Sequence, residues 1–131
     1  MPPILPLTPG LRREDLHTVL PEHTAAHLGS GDLRVLATPS MILFMERAAR
    51  QLLAEHLPPG YSSVGARVDI RHLAPTPVGA TVRAVAEITE VNGHKITFTV
   101  EAWQGEKQIG IGTHWRVVVD EERFLRGVGQ K

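Results

Sequence analysis

No cysteine occurs anywhere in the 131 residues. A disulfide framework, a thiolate nucleophile and a cysteine-based zinc site are therefore excluded. Neither sign of charge is in excess, since fourteen Lys and Arg balance fourteen Asp and Glu. The chain lacks the long-range attraction that a basic protein exerts, so neither nucleic acid nor an anionic membrane is expected as a partner. No apolar run is long enough to cross a bilayer. The opening residues Met1, Pro2, Pro3, Ile4, Leu5 and Pro6 have neither the basic start nor the unbroken apolar stretch of a signal or transit peptide. A cytoplasmic location is the resulting expectation. Asparagine is nearly missing as well, with Asn92 the only one, and eleven of the fourteen basic residues are Arg. Both features would suit a heat-stable protein.

What is present fits one domain over residues 1–131, a length that can bury a working core without disulfides or metals. Residues 1–10 are rich in Pro and read as an extended arm. Asp15 to Leu20 reads as a short strand ended by Pro21. Glu22 to Leu36, interrupted by Gly29 and Gly31, reads as a partly helical loop. Thr38-Pro39 then opens the one convincing helix, because Thr can cap free amides and Pro is tolerated in the first turn. Nothing breaks the pattern from Met41 until Pro58-Pro59-Gly60. Apolar residues cover nearly all sides of its first half, which predicts a buried helix.

Strand patterns follow over Ser62 to Leu73 and Thr81 to Val91. Asn92-Gly93 signals a hairpin. In Lys95 to Trp103, Ile96, Phe98, Val100 and Ala102 alternate against polar residues. Gln104-Gly105 marks a looser turn, and Lys107 to Val119 is the last long strand. There Gly110, Gly112, His114 and Arg116 share one face, and the glycines predict close approach of another backbone or a ligand. One buried helix ahead of a run of antiparallel strands predicts an α+β fold with a curved sheet wrapped around a long central helix. That is the hot-dog architecture.

Glu46 lies in the most apolar stretch of the chain, where an unpaired carboxylate is costly. It either faces out or pairs with Arg50, four residues on, or else is a pocket acid suited to acid–base chemistry. His72 ends a strand beside the turn Ala74-Pro75-Thr76-Pro77. There it is either structural or placed to exchange protons with a substrate. Thr38 caps the helix, presents its first amides to a carbonyl oxygen gaining negative charge, or does both. Arg116 either balances a buried acid or holds an anionic group. His23 and His27 could meet on one helical turn, but no third ligand can be nominated and no metal site is assigned. His17, His56 and His94 read as surface residues.

The segments VLATPSMILFMERAARQLL (Val35 to Leu53), SVGARVDIRHLAPTPVGATV (Ser63 to Val82) and GIGTHWRVVV (Gly110 to Val119) resemble hot-dog thioesterases of the fluoroacetyl-CoA thioesterase type. The likeness runs from about Leu16 to about Phe124. It rests on Thr eight residues before Glu on one helix, His twenty-six after that Glu, and Gly-x-Gly-Thr-His-x-Arg in the last strand. The resemblance implies hydrolysis of a short or small acyl-CoA thioester by a cytoplasmic homodimer without cofactor, with further pairing into tetramers left open. It implies that Thr38, Glu46 and His72 are catalytic, and that Gly65 and Arg116 bind substrate. One departure stands out. The fluoroacetyl-specific enzyme carries phenylalanines ahead of its catalytic threonine, whereas His27 to Ala37 contains none. The resemblance therefore implies the family's chemistry, while the departure implies a preference other than fluoroacetyl. Two rival readings use the same fold: a non-catalytic acyl-CoA-binding module, and an enoyl-CoA hydratase. The hydratase would need an acid beside the helix, where Asp32 is the only one.

Overall fold

The computed structural model describes residues 5–129. A short strand β1 (Arg12–Thr18) leads through a 3-10 turn at Pro21–His23 and one helical turn, α1 (Ala25–Leu28), to the central helix α2 (Thr38–Ala54). Four long strands follow: β2 (Tyr61–His72), β3 (Thr81–Asn92), β4 (Lys95–Gln104) and β5 (Lys107–Asp120). A short helix α3 (Glu121–Gly127) ends the chain. The five strands form one antiparallel sheet in the order β1-β3-β4-β5-β2, with β1 and β2 at its edges. The sheet packs on α2, which is the hot-dog arrangement expected from the pattern.

The core is the seam between helix and sheet. Met41, Phe44, Met45, Ala48, Ala49, Leu52 and Leu53 of α2 are buried against Val82, Ala84, Ala86 and Ile88 of β3 and Ile96, Phe98, Val100 and Ala102 of β4. The β4 alternation is thus the one its sequence announced. At about 1.5–3 kcal/mol for each large side chain, this burial fixes the helix in place. The helix is not wrapped on every side, however: Leu43 remains 40% exposed and Arg47 and Arg50 face outward. No helix among the described residues is long and apolar enough to cross a membrane.

Several boundaries differ from expectation. The first strand runs Arg12–Thr18 rather than Asp15–Leu20: along this edge strand exposed Arg12, Glu14, Leu16 and Thr18 alternate with half-buried Arg13, Asp15 and His17, a pattern without the usual apolar row. Of the arm expected over residues 1–10, residues 1–4 lie outside the described residues. Leu5 and Leu7 are buried in the core, so the arm is tied down at that point. The β3–β4 hairpin turns on Gly93-His94, one residue later than Asn92-Gly93, since Asn92 pairs with Lys95. Gly93 takes φ 61°, the left-handed value that the first loop position of a type II′ turn requires.

The inner face of β5 is the one carrying glycine and charge, and it decides how the sheet meets the helix. A Cβ on Gly110 would lie 2.5 Å from Met41 Sδ, and one on Gly112 would lie 2.1 Å from the Asp69 carbonyl oxygen. Gly112 makes the close approach to another backbone that was expected, whereas Gly110 makes room for a helix side chain instead.

Candidate active site

Helix α2 opens without a side-chain cap. Ala37 occupies the N-cap position, and Thr38 and Pro39 are the first two helical residues. The capping role expected of Thr38 is therefore not the one it plays. Its hydroxyl oxygen instead lies 2.7 Å from His72 Nδ1, across from the end of β2. Burial pushes the His72 pKa below the ordinary histidine value, and the Ala74 backbone pulls weakly the other way. The neutral ring is therefore favoured near neutral pH. With its proton on Nε2, its Nδ1 lone pair can accept the Thr38 hydroxyl proton. Thr38 and His72 open onto a cavity of about 390 Å³, walled by Val35, Leu36, Leu73 and Pro75.

A second cluster forms two helical turns further along α2. Glu46 Oε2 lies 3.7 Å from Arg116 Nη1. The Arg116 side chain is only 8% exposed, whereas that of Glu46 is 37% exposed, so the carboxylate keeps one side open. Arg116 is held from behind: its Nε donates to Ser63 Oγ at 2.8 Å and its Nη2 to the Ser63 carbonyl at 3.0 Å. Such anchoring matters because a buried guanidinium without partners would be strongly destabilising. Desolvation lowers the Arg116 pKa, and the Glu46 carboxylate works against that shift.

His114 completes this cluster. Its Nδ1 lies 2.8 Å from the Arg67 carbonyl oxygen, which can only accept, so Nδ1 carries the proton. Nε2 is left with its lone pair facing Arg116 Nη1 at 3.4 Å. Burial lowers the His114 pKa, which keeps the ring neutral. Gly65 closes the arrangement. A Cβ there would sit 2.7 Å from Glu46 Oε2 and 3.4 Å from both Arg116 Nη1 and His114 Cε1. Only glycine leaves the carboxylate where it is.

The five residues singled out in the sequence thus fall into two groups within one chain. Thr38 meets His72, and Glu46 meets Arg116 and Gly65. Eight residues of helix, about 12 Å, separate the groups. His114 and Ser63 were missed as site residues. Their signal was parity, since His114 shares a strand face with Arg116, and Ser63 shares one with Gly65. Glu46 pairs with Arg116 from the sheet and not with Arg50.

The remaining histidines need correction. His17, His56 and His94 are half-buried, not superficial. His17 stacks on Phe44 with ring centres 4.2 Å apart, and the Nδ1 atoms of His56 and His94 face the carbonyls of Leu52 and Val118. An aromatic wall for His17, and one backbone acceptor each for His56 and His94, suffice to draw these histidines inward. His23 Nδ1 accepts the Leu20 amide at 2.9 Å, which commits that ring to the local turn.

Comparison with known proteins bears on these groups. Residues 19–122 match the model of the family described as fluoroacetyl-CoA-specific thioesterase. The fluoroacetyl-CoA thioesterase of Streptantibioticus cattleyicolor is 40% identical over 97 residues, covering 74% of this chain and 70% of that protein. A crystal structure of a variant fluoroacetyl-CoA-specific thioesterase in complex with fluoroacetate and CoA superposes with a TM-score of 0.85 at 35% identity, covering 90% of this chain and 99% of the other. A thioesterase superfamily member from Thermus thermophilus gives a TM-score of 0.85 at 29% identity, covering 95% and 94% of the two chains. With residues 19–122 matched by the family model and most of its length shared with these relatives, the chain belongs to the fluoroacetyl-CoA-specific thioesterase family and is a hot-dog-fold thioester hydrolase.

Proposed function

We propose that this protein hydrolyses short or small acyl-CoA thioesters to the free acid and CoA, as a cytoplasmic homodimer whose active sites lie between subunits. The observation that carries the reading is the 2.7 Å contact between the Thr38 hydroxyl and His72 Nδ1, set at the open start of α2. Uncapped amides and the positive end of the helix suit a carbonyl oxygen that gains negative charge in the transition state. His72 accepts the proton of the nucleophile, which is Thr38 itself or a water in its place. Glu46, oriented by Arg116, positions that nucleophile or receives its proton.

Dimerisation supplies what one chain lacks. Thr38 and Glu46 are too far apart along α2 to act on one atom. Two antiparallel helices across a twofold axis would bring Thr38 of one subunit toward Glu46 of the other. Edge strand β2, with Gly65 to Asp69 exposed, offers the unpaired backbone through which two sheets can join. The absence of phenylalanine from His27 to Ala37, together with aliphatic cavity walls, supports an acyl group other than fluoroacetyl.

Steady-state assays across short-chain, branched and aryl-CoA esters test the proposal by following thiol release. Hydrolysis of at least one small acyl-CoA is expected. No thiol release across the panel would overturn it.

A further inference from the structure

The ring of His114 is 1% exposed and packs beside Phe98, with ring centres 6.0 Å apart. An apolar side chain would suit such a place better if packing were its whole purpose. Both ring nitrogens are engaged instead. Nδ1 donates to the Arg67 carbonyl at 2.8 Å, and Nε2 faces Arg116 Nη1 at 3.4 Å as an acceptor. The Nε2 atoms of His17, His72 and His94, by contrast, are buried without a hydrogen-bond partner among the described residues.

Each of the two bonds reaches a different part of the site. Along β2 the register against β5 shifts between Gly65 and Arg67, leaving Ala66 as an extra residue. Without that bulge Gly65 and His72, seven residues apart, would point to opposite faces of the sheet. With it, Gly65 lies opposite Arg116 and His72 lies opposite Gly110, both on the helix side. The carbonyl that accepts from His114 belongs to Arg67, the first residue past the bulge, so the ring pins the irregular stretch. The second bond reaches the guanidinium. Arg116 gives Nε and Nη2 to Ser63, which leaves Nη1 for two acceptors, His114 Nε2 and Glu46 Oε2 at 3.7 Å. His114 thus steadies the guanidinium from the side that Ser63 does not hold.

We propose that His114 is a positioning residue of the active site, a single ring that ties the β2 bulge to Arg116. It thereby holds the Glu46–Arg116 pair in register with the strand that carries Gly65 and His72. The inference rests on the hydrolytic reading and adds to it a group that touches no reacting atom. Leucine or phenylalanine at this position would fill the space but leave the Arg67 carbonyl and one Arg116 N–H unpaired in a buried setting.

Three variants separate the two bonds. His114→Ala removes both and should lower kcat/KM for the best acyl-CoA substrate by about a hundredfold, the effect of misplacing reacting groups by about 1 Å. His114→Asn can still donate to the Arg67 carbonyl, and His114→Gln can still accept from Arg116, so each should recover part of that loss. The defect left in His114→Asn should lie in kcat and not in KM. It should shrink below about threefold when Glu46 is already Gln, because no carboxylate remains to be aligned. The proposal is overturned by a His114→Ala loss below about threefold, by Asn and Gln variants no better than Ala, or by an equal Asn defect in both Glu46 backgrounds. If His114→Ala does not fold, the cycle between His114→Asn and Glu46→Gln decides alone. Nitrogen-15 NMR of the imidazoles puts the question without substrate. The Nε2 resonance of His114 should move in Arg116→Met, and a resonance that stays in place overturns the link. If the parent hydrolyses no acyl-CoA, the hydrolytic reading fails, and this spectrum still decides whether His114 holds Arg116.

Discussion

Glu46 owes its position to Arg116, and Arg116 owes its own to Ser63 and His114. Replacing Glu46 by Gln keeps the size and a polar contact but removes the ionisable group. Turnover should fall by about two to four orders of magnitude with the melting temperature little changed. A loss below about threefold would make Glu46 a structural partner of Arg116. The carboxylate was legible in the sequence because a charge inside the apolar run Phe44 to Ala49 must find a partner. Its actual partner was less legible: Arg50 is the neighbour along the helix, and only the folded sheet brings Arg116 nearer. His72 was visible as a candidate base, but its contact with Thr38 joins residues thirty-four apart and left no mark in local spacing. The direction of its pKa makes a second prediction. Burial lowers it from the ordinary 6.5, so the neutral, proton-accepting form persists to lower pH. The rate should rise with pH through a midpoint below 6.5 and then level off. In His72→Ala that limb should vanish, and a pH–rate profile of the variant that keeps it would assign the titration elsewhere.

Among the elements, β5 shows most clearly what alternation does and does not reveal. Its side chains divide into an apolar row (Ile111, Trp115, Val117, Val119) and a row of glycine, histidine and arginine, and it is the second row that faces the helix. Hydropathy alone would turn the strand over. The glycines correct this reading, because residues without Cβ are needed where helix and strand close up. Gly112→Ala would force a methyl group to 2.1 Å from a backbone oxygen that cannot swing aside as a side chain can. Denaturant unfolding should show a loss of about 3 kcal/mol or more, at the upper end of overpacking effects. A loss below about 0.5 kcal/mol would mean that β2 yields there at little cost. The helix and four long strands were readable from period and turn chemistry to within a few residues. The first strand slipped because it is a charged edge, and α3 was missed because seven residues after a long strand carry too few apolar positions to show a period.

For the whole molecule, the proposed dimer would tie assembly to chemistry as well as stability, because the two clusters stand apart within one chain. Leu43 and Val68 are 40% and 43% exposed in the single chain, beside the helix start and the open sheet edge respectively. Mixing inactive Thr38→Ala and Glu46→Gln subunits under chain-exchange conditions should restore part of the activity. Each mixed dimer would hold one site with both lesions and one with neither. Mixed dimers that form yet stay inactive would place the whole site in one chain, provided that a dimer of one intact and one doubly substituted subunit is active. The sequence could indicate this only through distance: a helix rise of about 1.5 Å per residue holds Thr38 and Glu46 apart whatever the rest of the fold does.

The bare start of α2 also has a consequence for how this protein can change. Ala37 leaves the first turn without a side-chain acceptor, at a position where Ser or Asp would ordinarily strengthen the helix. Ala37→Ser should therefore raise stability by about 1 kcal/mol, a shift of a few degrees in melting temperature. The new hydroxyl would occupy the amides that the proposed mechanism offers to the thioester oxygen, and on that mechanism turnover should drop in the same variant. Thermal melts and steady-state rates on one preparation would show the two effects together; a gain in both would separate the helix start from the chemistry. Selection for heat resistance would favour the substitution and selection for turnover would remove it, so the weak joint in the fold is the place where the two demands meet.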